Sequence, residues 1–88
     1  MIEGVTRSGF HFSVSDECMN DMELVDILAD SETDDAIRMS LVVKKLLPSE
    51  QRKALYNHVR KDGRVPIAAV TAAVEDIFSA MGHRGKNS

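Results

Sequence analysis

The sequence predicts a mainly α protein, a small bundle of about four helices with a short N-terminal β-strand or hairpin. Three observations support this fold class. Only residues 9–14 alternate apolar and polar side chains, as a half-buried strand does. Four later segments repeat apolar residues at spacings of three and four, as one face of a helix does. Pro48, Gly63 and Pro66 separate the last three of these segments.

The length and composition predict one small cytoplasmic domain. An 88-residue chain forms a single domain, which we place at residues 1–82, followed by a disordered C-terminal tail at residues 83–88. With no Trp, one Tyr and three Phe, the core must be aliphatic. No apolar run approaches the roughly 20 residues of a membrane span, and the N-terminus has no signal-peptide pattern. The single cysteine, Cys18, excludes an internal disulfide.

The predicted strand covers residues 9–14, where large apolar residues alternate with polar ones. The alternating residues are Phe10, Phe12 and Val14 against His11 and Ser13. A strand needs a partner, and residues 1–7, with Ile2 and Val5, can supply one. Two arrangements remain open for residues 1–14: they form a hairpin, or they dock as an arm exchanged with another molecule.

The first helix begins at one of two capping signals and ends near Asp30. Ser15 is a favoured N-cap residue, and Asn20 followed by Glu23 resembles a capping box. Acidic residues crowd its first turns, where they suit the helix dipole. The expected apolar face consists of Cys18, Met22, Val25 and Leu28, with Leu24 and Ile27 widening it.

The second helix, predicted at residues 34–47, has apolar residues on two faces. Thr33 or Asp34 caps it, and Pro48 ends it because the residue before a proline avoids the helical region. One face holds Met39, Val42, Val43 and Leu46, and a neighbouring face holds Ile37 and Leu41. A domain of this size does not bury both faces, so one of them is a candidate contact strip.

Two further helices complete the predicted bundle. The third covers residues 48–60 and ends at Gly63, which suits the left-handed position after a helix. Its apolar residues are Ala54, Leu55 and Val59, with Tyr56 beside them. The fourth begins at Pro66 and ends at Gly82. Its apolar face consists of Ile67, Val70, Val74, Ile77, Phe78 and Met81.

Charge is distributed very unevenly along the chain. Residues 1–37 contain ten acids and one base, a net charge of −9. Residues 38–88 contain ten bases and four acids, a net charge of +6. The two halves can neutralise each other within one molecule as solvated faces, or pair head to tail between molecules. We expect assembly of the second kind to weaken with salt.

The residues that carry enzyme chemistry are not arranged for it, so we predict no catalytic, cofactor or metal site. Acids at positions 30, 32 and 34 have the spacing of a calcium loop, but Asp35 and Leu41 occupy its glycine and glutamate positions. The histidines are isolated. Acidic neighbours of Cys18 oppose a thiolate. The ending GKNS resembles half of a phosphate loop, but it follows a helix instead of preceding one.

A basic strip near the third helix raises the alternative of a small DNA-binding or regulatory protein. The strip consists of Arg52, Lys53, Arg60, Lys61 and Arg64. Such strips contact phosphates in helix-turn-helix proteins. Against this, the sequence pI is about 5.5, and the strip lacks a cluster of base-reading residues at a helix N-terminus. A structural connector protein is a third possibility.

Several segments together resemble a known protein family. Residues 12–30, FSVSDECMNDMELVDILAD, lead from a short strand into an acidic helix. Residues 49–82 run from a polar helix through a DGRV turn into an alanine-rich helix, and the chain ends in GKNS. In this order and spacing they resemble the small tail assembly chaperones of long-tailed, siphovirus-type phages and prophages of Gram-positive bacteria. Residues 1–9 and 31–47 fit this pattern least well.

The resemblance implies a binding protein with no active site or cofactor. Such chaperones bind the long, apolar tape measure protein, keep it soluble and recruit tail tube subunits during tail assembly. The resemblance places the chain in the cytoplasm of the bacterial host, outside the mature virion. We expect self-association, with copies lined up along the partner, and no membrane contact. The candidate partner-binding residues are Ile37, Met39, Leu41, Val42 and Leu46.

The same family uses programmed frameshifting near the stop codon to make a short and a long form. A slippery site has the form X XXY YYZ. The residues Gly85, Lys86 and Asn87 are compatible with GGA AAA AAC, which contains A AAA AAC in the correct frame. The hypothesis is that these residues mark the slip and that this chain is the short form. The alternative is an ordinary polar tail.

Overall fold

The computed structural model describes residues 1–85, which form a two-stranded hairpin followed by four helices. The strands are β1 (Ile2–Val5) and β2 (His11–Val14). The helices are α1 (Met22–Ala29), α2 (Asp35–Leu46), α3 (Ser49–Val59) and α4 (Ile67–Gly85). The predicted fold class, a small mainly α bundle with an N-terminal hairpin, is confirmed. Within residues 1–85, no helix combines the length and apolar character needed to cross a bilayer.

The hairpin forms because each strand buries one face. β1 and β2 are antiparallel, with Gly4 opposite Phe12. Phe12 and Val14 point into the core while His11 is exposed, as the alternation predicts. Thr6 closes the connection, since its hydroxyl oxygen accepts the Phe10 N–H at 3.1 Å. Residues 1–14 therefore pair with each other, which decides between the two arrangements that the sequence left open.

The aromatic ring of Phe12 lies directly over Gly4, which gives a first testable prediction. A Cβ atom on Gly4 would lie 2.7 Å from Cζ of Phe12. Phe12 is only 4% exposed, so its ring is packed within the core. We expect Gly4→Val to lower the free energy of unfolding by about 2 kcal/mol, measured by urea denaturation. Glu3→Val, on the exposed face of the same strand, is the control, and an unchanged midpoint for Gly4→Val would contradict this packing.

Helix α1 is shorter than predicted and starts at a different cap. The carboxylate of Asp21 accepts the Glu23 N–H at 2.9 Å, so Asp21 is the N-cap. The preceding residues form turns, in which Cys18 N–H donates to the Ser15 carbonyl oxygen at 3.2 Å. The prediction that the helix starts at Ser15 or Asn20 was therefore wrong. The turns satisfy these backbone groups locally before the helix begins.

The face that α1 turns toward the core also differs from the prediction. Leu24 is fully buried and Ile27 is partly buried against the core. Met22, Val25 and Leu28, which were expected to form the main apolar face, are exposed. Both sets have helical spacing, so the sequence alone does not choose between them. Which set is buried depends on where α2, the principal neighbour of α1, packs against it.

Helix α2 agrees closely with its prediction. Asp34 is the N-cap, with its carboxylate accepting the Ala36 N–H at 2.9 Å. The helix ends at Leu46, two residues before Pro48. Its buried residues are Val42, Val43 and Leu46. Arg38 donates to the Asp30 carbonyl oxygen, which ties the start of α2 to the end of α1.

The link between α3 and α4 is a tight turn. Asp62 and Gly63 both have positive φ, at 53° and 78°. The Lys61 N–H donates to the Arg64 carbonyl oxygen at 2.8 Å, and Arg64 returns the bond. The prediction that Gly63 ends the third helix was wrong, because α3 ends at Val59 with Arg60 as its C-cap, and Gly63 uses its positive φ in the turn that follows. Ala54 of α3 is exposed, however, and does not belong to the buried face on which Leu55 lies.

Helix α4 crosses the core and continues further than predicted. It passes through Gly82 and ends at Gly85, so residues 83–85 belong to the helix and not to a tail. The rest of the predicted tail, residues 86–88, lies outside the described residues. Val70, Ala73, Val74, Ile77 and Met81 are buried, whereas Ile67 in the first turn is exposed.

One continuous core joins the hairpin to the helices. Its buried apolar residues are Ile2, Phe10, Phe12, Val14, Leu24, Val42, Val43, Leu46, Leu47, Leu55, Val70, Ala73, Val74, Ile77 and Met81. Arg7 links the hairpin to α4, because its N–H and its Nε donate to the two carboxylate oxygens of Asp76, each at 2.9 Å. The backbone N–H of Arg7, followed by its guanidinium, holds the pKa of Asp76 below its ordinary value despite partial burial.

Candidate partner-binding surfaces

The five predicted partner-binding residues do not lie on one surface. Val42 and Leu46 are buried in the core, so they are not accessible to a partner in this structure. We remove both from the candidate site, since α1, α3 and α4 pack against α2 and both residues belong to the common core. Met39 is partly buried against the core. Ile37 and Leu41 are 58% and 42% exposed.

Ile37 and Leu41, which we name the α2 face, form an apolar strip on the outside of the bundle. They lie four residues apart, so they are neighbours along one side of the helix. Beside Leu41, a cleft of about 200 Å³ separates α1 from α2. The cleft is lined by Asp26, Ile27, Asp30, Thr33, Arg38 and Leu41. This surface mixes apolar side chains with charged groups at its edge, as interfaces commonly do.

A groove between α2, α3 and α4 was not predicted. It encloses about 240 Å³ and is lined by Ala36, Met39, Ser40, Tyr56, Val65, Ile67 and Val70. Ser40 and the hydroxyl of Tyr56 are the only polar side-chain groups among these seven residues. One signal was available in the sequence, because Val65 is apolar although it precedes Pro66 and lies outside the predicted apolar face of the fourth helix.

The α1 stripe, defined as Met19, Met22, Val25 and Leu28, is a second apolar surface that was not predicted. All four residues are exposed in the structure. Met22, Val25 and Leu28 follow one another at intervals of three, which places them along one side of α1. A monomer rarely exposes so many large apolar residues together without a binding role.

Few of the charged side chains form ion pairs within the molecule. Among residues 1–82, whose side chains the structure describes, three basic side chains form ion pairs with acids, namely Arg7, Arg38 and Lys45. The bases at positions 44–64 that are outside any ion pair in this described part are Lys44, Arg52, Lys53, Arg60, Lys61 and Arg64. Most of the charge asymmetry is therefore left on the surface.

Lys45 is the main intramolecular link between the acidic and the basic half. Its ammonium lies 3.4 Å from a carboxylate oxygen of Asp21 and also contacts Glu23. The hydrogen bond from Lys45 to Glu23 raises the pKa of Lys45. Burial alone would raise the pKa of Asp21, but the N–H of Glu23 and the Lys45 ammonium outweigh it and lower that pKa. This contact fixes the start of α1 against the end of α2.

The groups with potential for chemistry are engaged in packing. Partial burial raises the pKa of the Cys18 thiol, and the nearby Asp16 carboxylate adds to this. The Cys18 sulfur lies 3.1 Å from the Met81 sulfur. His58 bonds to Ser8, with its Nε2 atom 3.0 Å from the Ser8 carbonyl oxygen. In the part of the chain that the structure describes, no three His, Cys, Asp or Glu residues are grouped for a metal ion.

Comparison of the chain with known proteins gives no further guide. No protein-family model, no curated protein and no solved structure matches it. The functional argument therefore rests on the residues themselves and on the three surfaces described above: the α2 face, the groove and the α1 stripe.

Proposed function

We propose that this chain is a tail assembly chaperone of a long-tailed phage, which binds the tape measure protein and keeps it soluble during tail morphogenesis. Two observations support the proposal. The first is the resemblance of residues 12–30 and 49–82 to such chaperones in order and spacing. The second is the α2 face, an apolar strip exposed on a helix whose opposite side lies in the core.

The α2 face is the observation that carries the binding mechanism. Ile37 and Leu41 lie one helical turn apart, so a partner helix running along α2 covers both. The tape measure protein offers such helices, with apolar residues that aggregate when exposed to water. Covering them with Ile37 and Leu41 removes apolar area from water on both partners, which favours the complex. No catalytic group is required for this function.

Co-expression with the tape measure protein of the same genome tests this function directly. We expect the tape measure protein to move from the insoluble to the soluble fraction and to co-purify with the tagged chain. A tape measure protein that stays insoluble with both the short form and the frameshifted form would refute the proposal. Mass spectrometry of finished virions adds a second readout, because a chaperone is absent from them and a connector is present.

The proposed recruitment of tail tube subunits depends on the longer, frameshifted form and makes a separate prediction. Residues Gly85, Lys86 and Asn87 are expected to be encoded by a slippery heptamer such as A AAA AAC. Synonymous codons that destroy the heptamer should abolish the longer product in an immunoblot and leave the short product unchanged. Codons that cannot form a heptamer at this position would remove the hypothesis. Lys86 and Asn87 lie outside the described residues.

The basic residues that form no ion pair with the side chains of residues 1–82 favour one alternative function, that of a small DNA-binding or regulatory protein. Arg60, Lys61 and Arg64 lie together at the exit of α3, where they are exposed. A gel shift at about 50 mM salt separates the two functions, since phosphate contacts by these residues give strong, salt-sensitive binding. The alternative would be favoured if the chain binds duplex DNA and if charge reversal at Arg60 and Lys61 abolishes that binding.

A further inference from the structure

We propose that the outer edge of β1 binds an extended, basic segment of a partner protein, which adds to the hairpin as a third strand. The outer edge is the side of β1 that faces away from β2. The inference rests on the hydrogen bonds of the hairpin, on the cleft beside β1 and on the charges around it. It does not depend on the proposed function.

The register of the hairpin determines which backbone groups of β1 face outward. In an antiparallel pair, successive residues point their N–H and C=O groups alternately toward the neighbouring strand and away from it. The Thr6 N–H donates to the Phe10 carbonyl oxygen at 2.9 Å, and Gly4 lies two residues earlier in the same register. The backbone groups of Thr6 and Gly4 therefore point toward β2. Those of Glu3 and Val5 point away from it.

Other outward-facing backbone groups of the hairpin are bonded to side chains. On β2, the side-chain amide of Gln51 accepts the Ser13 N–H at 2.9 Å and donates to the Ser13 carbonyl oxygen at 2.6 Å. Just after β1, the Arg7 N–H donates to a carboxylate oxygen of Asp76 at 2.9 Å. A strand that added to β2 would have to displace Gln51, so β1 offers the more accessible edge.

The outward groups of Glu3 and Val5 are the ones left open. Their N–H and C=O groups form no hydrogen bond with any residue of the range 1–82. Both residues are exposed. Donors and acceptors thus alternate in one row along the edge of a strand. A helical partner has already used its own backbone groups, so only an extended segment satisfies the whole row.

Helix α4 provides a floor on which the added strand rests. A cleft of about 470 Å³ lies beside β1, with Ile2 and Val5 on one side and Ser79 and Ala80 of α4 on the other. Ser79 and Ala80 are small, so they leave room for side chains of the added strand. Alternate residues of a strand point to the same side. Every second residue of the segment therefore faces α4, where an apolar side chain is removed from water.

The charges around the edge favour a basic segment. Glu3 is exposed and forms no ion pair with the side chains of residues 1–82. The guanidinium of Arg7 lies 2.9 Å from Asp76 and 3.9 Å from Glu75, so one base serves two acids. Residues opposite each other on neighbouring strands lie about 5 Å apart. A lysine or arginine opposite Glu3 in the added strand therefore pairs with it.

An NMR titration with a defined peptide tests strand addition on the intact, isotope-labelled chain. The probe is a peptide with blocked ends in which lysine and valine alternate over about six residues, the length of an ordinary strand. We expect the backbone amide signals of Glu3 and Val5 to shift. At saturating probe their hydrogen exchange should slow by about tenfold, because both N–H groups gain an acceptor.

Altered peptides separate backbone pairing from charge attraction. One carries methyl groups on the lysine backbone nitrogens and another carries them on the valine backbone nitrogens. In a strand only one of these sets faces β1, so one peptide should bind at least about tenfold more weakly than the probe and the other should bind like it. A peptide with glutamate in place of lysine should also bind about tenfold more weakly, because like charges then lie opposite Glu3.

The variants Val5→Pro and Val5→Ala form a matched pair on the chain itself. Proline removes the outward N–H of Val5, which the hairpin tolerates because this N–H does not bond to β2. Alanine shortens the same side chain but keeps the N–H. We expect Val5→Pro to weaken probe binding at least about tenfold and Val5→Ala to change it by less than about threefold. If Val5→Pro does not fold, Glu3→Lys replaces it and should prefer the glutamate peptide to the lysine peptide.

Four results would overturn the inference. The first is that the amide signals of Glu3 and Val5 do not shift at about 1 mM probe. The second is that the shifts are confined to the acidic residues at positions 16–35. The third is equal binding of the two methylated peptides, and the fourth is equal binding of the probe by folded Val5→Pro and Val5→Ala. The tape measure protein takes no part in these experiments, so their failure and a failed solubility rescue are distinguishable.

Discussion

The double variant Ile37→Asp with Leu41→Asp should lose nearly all ability to keep the tape measure protein soluble. Each substitution places a carboxylate on the α2 face, where a partner helix must exclude water. An unpaired charge in such a contact costs more than the lost apolar area. We expect affinity to fall by about 100-fold, which corresponds to nearly 3 kcal/mol. The measurement is the soluble fraction of the tape measure protein after co-expression, followed by pull-down.

Val5→Asp provides a matched control for this experiment. Val5 is 55% exposed, close to the 58% of Ile37, but it lies on β1 and outside the α2 face. Val5→Asp also places a carboxylate at an exposed apolar position. It should leave the solubility of the tape measure protein and its pull-down unchanged. Both variants should retain the helical circular dichroism of the wild type. If the folded double variant keeps as much tape measure protein soluble as the wild type does, then the tape measure protein binds elsewhere on the chain.

The largest expected effect on stability comes from Ile77→Ala. Ile77 lies at the centre of the core on α4, with 0% of its surface exposed. Removing its side chain leaves a cavity among residues from the hairpin and the other helices. We expect a loss of about 3 kcal/mol in the free energy of unfolding. For a chain of this size that is a large share of a total stability of about 5–10 kcal/mol.

Urea denaturation with circular dichroism measures this loss, and Ile67→Ala on the same helix serves as its control. Ile67 is exposed, and alanine is the better helix former, so this variant should change stability by less than about 0.5 kcal/mol. Both variants and the wild type are measured at the same salt and protein concentration. Equal losses for the two variants would mean that α4 does not pack through Ile77 as described.

The fold class and most element boundaries followed from local signals. The alternation around Phe12 identifies β2, and Pro48 and Gly63 separate the helices, because these effects depend on neighbours in sequence. The end of α4 could not be predicted from local signals. Gly82 weakens a helix but does not stop it, and the residues after it continue the helical hydrogen bonding to Gly85.

The candidate surfaces were harder to predict, because they depend on which face of each helix meets the core. α1 carries two apolar sets, and the larger one, with Met22, Val25 and Leu28, is the exposed one. On α2, the sequence indicated two faces and the structure shows that Ile37 and Leu41 lie on the outer one. The groove is built from three helices that are separated along the chain, so its residues share no local pattern that a single segment displays.

The link between Arg7 and Asp76 has a consequence for the order of folding. It joins residues 69 positions apart, and Cys18 with Met81 is a second contact of similar span. Contacts of such long range form late, since the chain must first lose the entropy of closing the intervening loop. During synthesis, β1 and β2 leave the ribosome first but have no core to cover until α4 follows. We therefore expect the hairpin to dock last, on helices that have already packed together.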